Sequence, residues 1–180
     1  MILSLDVNSE QTGFAFGGPD DSVPRGGVWQ LPGGKDLPRA CAVLHSSVAG
    51  LAGLIHPKVI VIEAPLNRSD RFHSARSNLV TMALYGAALA AGSRAGAVCK
   101  DANVQTWRAH FLGKGKGNLP GEEAKAMAMH LCNKVFGWTS ATHDEAEAKG
   151  IWAWAMATHY PKWSPKSTPL FGRQERTLSP

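Results

Sequence analysis

The alternation and spacing of apolar positions predict an opening hairpin. Residues 1–5 are strand formers, residues 12–16 alternate small and aromatic side chains around Gly13, and the polar stretch 8–11 connects them. A loop rich in Gly, Pro and Asp (17–24) leads to a third strand, 26–31, antiparallel to the second. From 37 to 55 apolar residues recur at helical spacing (Leu37, Cys41, Leu44, Val48, Leu51, Leu54, Ile55), which predicts a helix packed on the sheet and ended by Pro57. Residues 58–64, KVIVIEA, form a near-continuous β-branched run between two prolines, as expected for a central parallel strand buried on both faces. A helix dominated by small residues (78–92), a fifth strand (96–101), a short helix (104–111) and a helix over 122–135 closed by Gly137 follow. The last element is an amphipathic helix over 142–159, with an apolar stripe through Ala148, Ile151, Ala155 and Thr158. The fold class is therefore α/β: a mixed five-stranded sheet, its first three strands antiparallel and the next parallel, flanked by helices.

Acidic residues fall at particular points of this pattern. Asp6 ends the first strand and Glu63 ends the fourth, and in open α/β sheets functional groups collect at the carboxyl ends of neighbouring strands. Extended backwards, the stripe of the last helix passes through Asp144 and Glu147, three residues apart and so on one face. Glu145 points elsewhere and reads as a first-turn acid favoured by the helix dipole. Taken singly, each acid has a plainer explanation: a turn-capping Asp6, a solvated Glu63, an N-capping Asp144. Together they bring four oxygen ligands to one end of a sheet, a donor set suited to Mg²⁺ or Mn²⁺ and not to zinc, which His143 could supplement.

Composition narrows the class. With 44% hydrophobic residues in 180, the chain can bury the core of one domain. Nothing resembles a basic leader, and no apolar run reaches the length of a membrane span, so a soluble intracellular protein without a membrane partner is expected. Three dispersed cysteines, Cys41, Cys99 and Cys132, indicate neither a disulfide framework nor a zinc knuckle. Nineteen Lys and Arg against fourteen Asp and Glu, with a pI near 9.3, suit a polyanionic partner. Setting the four candidate ligands aside leaves ten acidic residues against nineteen basic ones. Candidate backbone contacts are Arg68, Arg71, Arg76 and Arg108, with Lys114 and Lys116 in the loop GKGKGN, which lacks the spacing of a phosphate-binding P-loop. Phe72 could stack on or wedge between bases, or staple the start of the next helix.

The segments LSLDVNSEQTGFAF around Asp6, VIVIEAP around Glu63 and HDEAEAKGIWAW around Asp144 and Glu147 resemble the RNase H-like nuclease superfamily. Within it the chain looks like a RuvC-type Holliday junction resolvase, particularly the divergent phage and prophage members. VQTWRAHFLGKGKGN with EEAKAMAMHLCNKVFG is similar to the family's variable strand, basic loop and helix. The chain departs from the family pattern at Val7-Asn8, where a glycine usually follows the first Asp, and at Glu147, where an Asp is usual. The resemblance implies an RNase H-like domain over 1–160 followed by an extended or disordered basic tail over 161–180. It implies a homodimeric endonuclease in the cytoplasm of a bacterial or phage-infected cell, cutting four-way or other branched DNA. Its two Mg²⁺ ions per site, with Mn²⁺ as substitute, would lie on Asp6, Glu63, Asp144 and Glu147. The alternatives are a less selective nuclease of the same fold acting on other DNA or RNA, and an inert DNA-binding module. An ATPase of the actin type is disfavoured, because no second phosphate hairpin is present.

Overall fold

A computed structural model describes residues 1–65 and 75–164. Strands β1 (Ile2–Val7), β2 (Gln11–Gly17), β3 (Arg25–Gln30), β4 (Val59–Glu63) and β5 (Val98–Ala102) form one sheet in the order β3-β2-β1-β4-β5. The first three pair antiparallel, and β4 and β5 join in parallel, as the sequence pattern predicts. Parallel pairs require crossovers. Helix α1 (Leu37–Ile55) makes the one from β3 to β4, and α2 (Ala75–Arg94) the one from β4 to β5. Helices α3 (Val104–Phe111), α4 (Gly121–His130) and α5 (His143–His159) follow.

Because side chains alternate across a strand, the sheet serves two cores. Leu3 and Leu5 of β1 and Ile60 and Ile62 of β4 face α1 and α2. Ile2 and Val61 face the opposite way, into the core of α3, α4 and α5. Asp6 and Glu63 share the parity of this second set. The register Leu5 to Ile62 in the parallel pair then sets the two acids side by side at the carboxyl end of the sheet, beneath α5.

Small residues seat α5 on the sheet. The Ser4 hydroxyl donates to the Ala148 carbonyl at 2.7 Å, and a Cβ on Gly13 would lie 2.0 Å from the Asp144 carbonyl oxygen. On the other side, a Cβ on Gly150 would meet Phe111 at 2.7 Å and Trp107 at 2.9 Å, which fixes α3 against α5. Enclosed from both sides, α5 is buried continuously from Asp144 to Ala153, so it has no solvent-facing stripe there, contrary to the amphipathic expectation; Thr158 is exposed. Glu145, expected to point away from the acidic pair, is buried as a result. Its carboxylate pairs with Lys149 Nζ at 2.7 Å and accepts from the Ala141 amide at 2.9 Å, which satisfies both oxygens.

Other local expectations change. Helix α1 makes its buried face with Ala40, Leu44, Val48 and Ala52 and leaves Leu54 80% exposed, because alanines allow close approach to α2 and the sheet. By length and composition α1 could cross a bilayer, against the expectation that no segment would, yet it packs on the sheet beside α2. The helix predicted over 122–135 stops at His130 and widens into a π turn, Leu131–Val135; Gly137, at φ 68°, then turns the chain so that the Trp138 amide reaches the Cys132 carbonyl at 2.7 Å. Among the cysteines only Cys132 is fully buried, and all three are free. Trp163, beyond the boundary expected at residue 160, packs edge-on against Trp152 with ring centroids 5.1 Å apart; residues 165–180 of the expected tail lie outside the described residues.

The Gly13 contact is backbone on backbone and cannot be relieved by a rotamer change. Gly13→Ala should therefore cost about 1–3 kcal/mol or more by overpacking and loosen the start of α5. Urea unfolding measures this, and an unchanged midpoint would rule out the close seat.

Candidate metal centre

The four acids predicted from the sequence meet at the carboxyl ends of β1 and β4. One carboxylate oxygen each from Asp6, Asp144 and Glu147 lie within 4.8 Å of one another, and all three residues are buried. Glu63 joins them through a hydrogen bond with Asp6. Thr142, not Asp144, caps α5, its hydroxyl accepting from the Glu145 amide at 3.2 Å, which leaves the Asp144 side chain to the centre. His143 stands exposed one residue earlier and is outside the cluster.

Each acid is held by a neighbour. The Trp107 indole N–H donates to Glu63 Oε1 at 2.9 Å, and the adjacent Arg108 guanidinium donates to Glu147 Oε1 at 2.9 Å, so consecutive residues of α3 hold the two glutamates. Gln11 donates to Asp144 from β2. Arg108 is therefore not an exposed backbone contact: its side chain is 13% exposed and lies in the acidic centre, its Nε without a hydrogen-bond partner among the described residues. Lys125 of α4 adds a second positive charge facing Glu147. Beside Glu63 opens a cleft of about 370 Å³, lined by Val7, Asn8 and Lys125 among others. Val7-Asn8, the departure from the family pattern, thus forms part of the cleft wall.

The remaining candidates are placed variously. Lys114 and Arg76 are exposed, and Lys116 is half-buried in the glycine loop, where Gly113 and Gly115 take positive φ. Arg68, Arg71 and Phe72 lie outside the described residues. Trp107, Lys125 and Gln11 were not singled out by sequence. None belongs to an acidic pattern, and no spacing along the chain marks them.

Electrostatics agree with a cation site. Burial, and then the charges of Glu63, Glu147 and Asp144, push Asp6 well above the usual carboxylate range. Burial raises Glu63, opposed by the Trp107 hydrogen bond and by Arg108. Burial and the Glu63 charge lift Glu147 to about 7, against the opposing effect of Arg108. The metal-free centre thus shifts Asp6, Glu63 and Glu147 toward their protonated forms. A divalent ion suits this centre on donor chemistry alone: hard carboxylate oxygens, buried together, with too little positive charge to neutralise them.

These raised values give a pH dependence of definite sign. A folded-state pKa above the unfolded one means that the folded chain binds more protons, so stability is full below about pH 4 and is lost as pH rises through about 7. The thermal midpoint in EDTA should fall between pH 5 and 8, and the gain on adding Mn²⁺ should grow over the same interval. Asp6→Asn should raise the metal-free stability at pH 8. Scanning calorimetry reads all three, and a wild-type profile parallel to that of Asp6→Asn would refute the assignment.

No protein-family model matches the chain, and no curated protein matches it in sequence. Solved structures do. RuvC of Thermus thermophilus in complex with a Holliday junction substrate is similar over 92% of this chain and 98% of that one, with a TM-score of 0.63 and 15% sequence identity. A structure of Thermus thermophilus RuvC is similar over 92% and 99%, with a TM-score of 0.60 and 16% identity. The fowlpox virus Holliday junction resolvase is similar over 88% and 98%, with a TM-score of 0.51 and 11% identity. At these identities the likeness is one of fold, and the chain has the RNase H-like fold in the form seen in RuvC.

Proposed function

We propose that the protein is a metal-dependent, structure-selective endonuclease that cleaves Holliday junctions or other branched DNA. The observation that carries this reading is the convergence of Asp6, Asp144 and Glu147, with Glu63 bonded to Asp6, at the open end of a RuvC-like sheet. These four residues would hold two divalent ions, Mg²⁺ with Mn²⁺ as substitute. When bound, the ions supply an activated water and charge compensation at the departing 3′ oxygen. Arg108 and Lys125 add positive charge at the walls of the centre, where a phosphodiester must approach four carboxylates. The exposed Lys114 and Arg76, with Arg68, Arg71 and Lys116, are the backbone contacts of this reading, and Phe72 the aromatic wedge.

A homodimer suits a substrate with two-fold symmetry. The outer face of α2 supports it: Leu79 is 62% exposed and Met82 55%, and the face continues through exposed Gly86 and Ala90 without a charge. An uncharged helical stripe of this kind is a surface that a second copy could cover.

Two experiments test the reading. Labelled four-way junction, flap, duplex and RNA–DNA hybrid should be incubated with the protein in Mg²⁺ or EDTA. Paired, symmetric nicks in the junction alone, lost in EDTA, are expected; equal cutting of all four would favour a less selective nuclease, and binding without cutting an inert module. Asp6→Asn should abolish cleavage while junction binding persists, and wild-type cleavage by this variant would sink the site. Met82→Lys should shift the dimer to monomer in sedimentation without lowering the thermal midpoint; an unchanged dimer would remove α2 from the interface.

A further inference from the structure

Asp144 differs from the other three acids in what holds it. The two glutamates are gripped from α3, whereas Asp144 Oδ2 accepts from the side-chain amide of Gln11 at the start of β2. Gln11 is itself held: its Oε1 accepts from Gln30 Nε2 at 3.1 Å, and the two glutamines are direct cross-strand partners in the β2–β3 ladder. The backbone closes the same corner, with the Leu31 amide donating to the Glu10 carbonyl at 2.8 Å. The close seat of the Asp144 backbone on Gly13, two residues beyond Gln11, keeps the carboxylate and the amide within reach of each other.

The chemistry of this relay is directional. A carboxylate oxygen accepts from an amide, so Gln11 turns its NH₂ to Asp144 and its oxygen to Gln30, whose NH₂ fixes that orientation. Asp144 Oδ2 is then engaged by a donor, and an oxygen of the same carboxylate lies within 4.8 Å of those offered by Asp6 and Glu147. We infer that Gln11 is a positioning residue of the metal centre, fixing the direction of the Asp144 carboxylate, and that Gln30 sets the orientation of Gln11. This rests on the reading of Asp6, Asp144 and Glu147 as metal ligands. An outer hydrogen bond of this kind governs ligand direction, and its loss typically weakens metal affinity about 10–100-fold.

Calorimetric titration of the full chain with Mn²⁺ tests the inference, using wild type, Gln11→Met, Gln30→Met and Asp6→Asn. Methionine keeps the length of glutamine and removes the donor. Gln11→Met should bind Mn²⁺ about 10–100-fold more weakly, and Gln30→Met should shift the same way by less, with thermal midpoints in EDTA unchanged. In cleavage assays the Mg²⁺ concentration for half-maximal rate should rise, while the rate at saturating Mg²⁺ recovers. A merely structural role would instead lower the midpoints and leave the Mn²⁺ affinity alone, which overturns the inference. Wild-type affinity in Gln11→Met, with binding lost in Asp6→Asn, overturns the relay but leaves the metal centre standing. Equal Mn²⁺ binding, or none, in wild type and Asp6→Asn overturns the metal centre and the relay with it. Should Gln11→Met fail to fold, Gln30→Met at its exposed position decides, and unchanged affinity there also overturns the inference.

Discussion

Three buried carboxylates within 4.8 Å of one another, with the half-buried Glu63 beside them, are the constraint to which the rest of the molecule answers. Like charges out of water repel strongly, so a centre of this kind persists without a cation only by keeping protons and by recruiting donors. Both are seen. Asp6, Glu63 and Glu147 are shifted toward their protonated forms, while Trp107, Arg108 and Gln11 each give a hydrogen bond to a different acid. The donors come from α3 and β2, elements far apart in sequence, so the centre is a product of packing and not of a local motif.

That packing depends on how closely α5 can approach its neighbours. Ser4 and Gly13 on the sheet and Gly150 on α5 itself remove the side-chain bulk that would hold the layers apart. The result brings the first turn of α5 onto the ends of β1 and β2, and α3 onto α5, so that acids and donors meet. The buried Lys149–Glu145 pair belongs to the same arrangement. It satisfies two charges that full enclosure of the helix would otherwise strand, and breaking such a pair typically costs about 3–5 kcal/mol.

The core and the surface of the helical layers divide the remaining work. The sheet side of α1 and α2 is made with alanines and a few large residues, Leu44, Val48 and Leu84, while the outer face of α2 stays apolar and uncovered. Opposite, aromatics stacked from Phe111 through Phe136 to Trp138, with Trp152 edge-on to Trp138, fill the space between α3, the π turn and α5. The expected wedge at Phe72 and the arginines beside it lie outside the described residues.

Much of the fold was legible in the sequence because it follows from local periodicity. The strand formers of β1 and the β-branched run of β4 predicted strands whose neighbouring carboxyl ends put Asp6 near Glu63. The three-residue spacing put Asp144 and Glu147 on one face of α5. Those rules need only the backbone geometry of a single element, and they bounded the candidate ligands at four. What the alternation and spacing did not carry was the environment of those ligands. Glu145 read only as a first-turn acid because nothing local says that α5 is enclosed on both sides; Arg108 read as a surface contact, and Trp107, Lys125 and Gln11 passed unnoticed, because each meets its acid across 22 to 133 residues of chain. Sequence by itself determined the elements and which side chains share a face. Only the tertiary structure decided which charges are buried and which donors reach them, since burial and long-range hydrogen bonds arise from how layers pack and have no period along the chain.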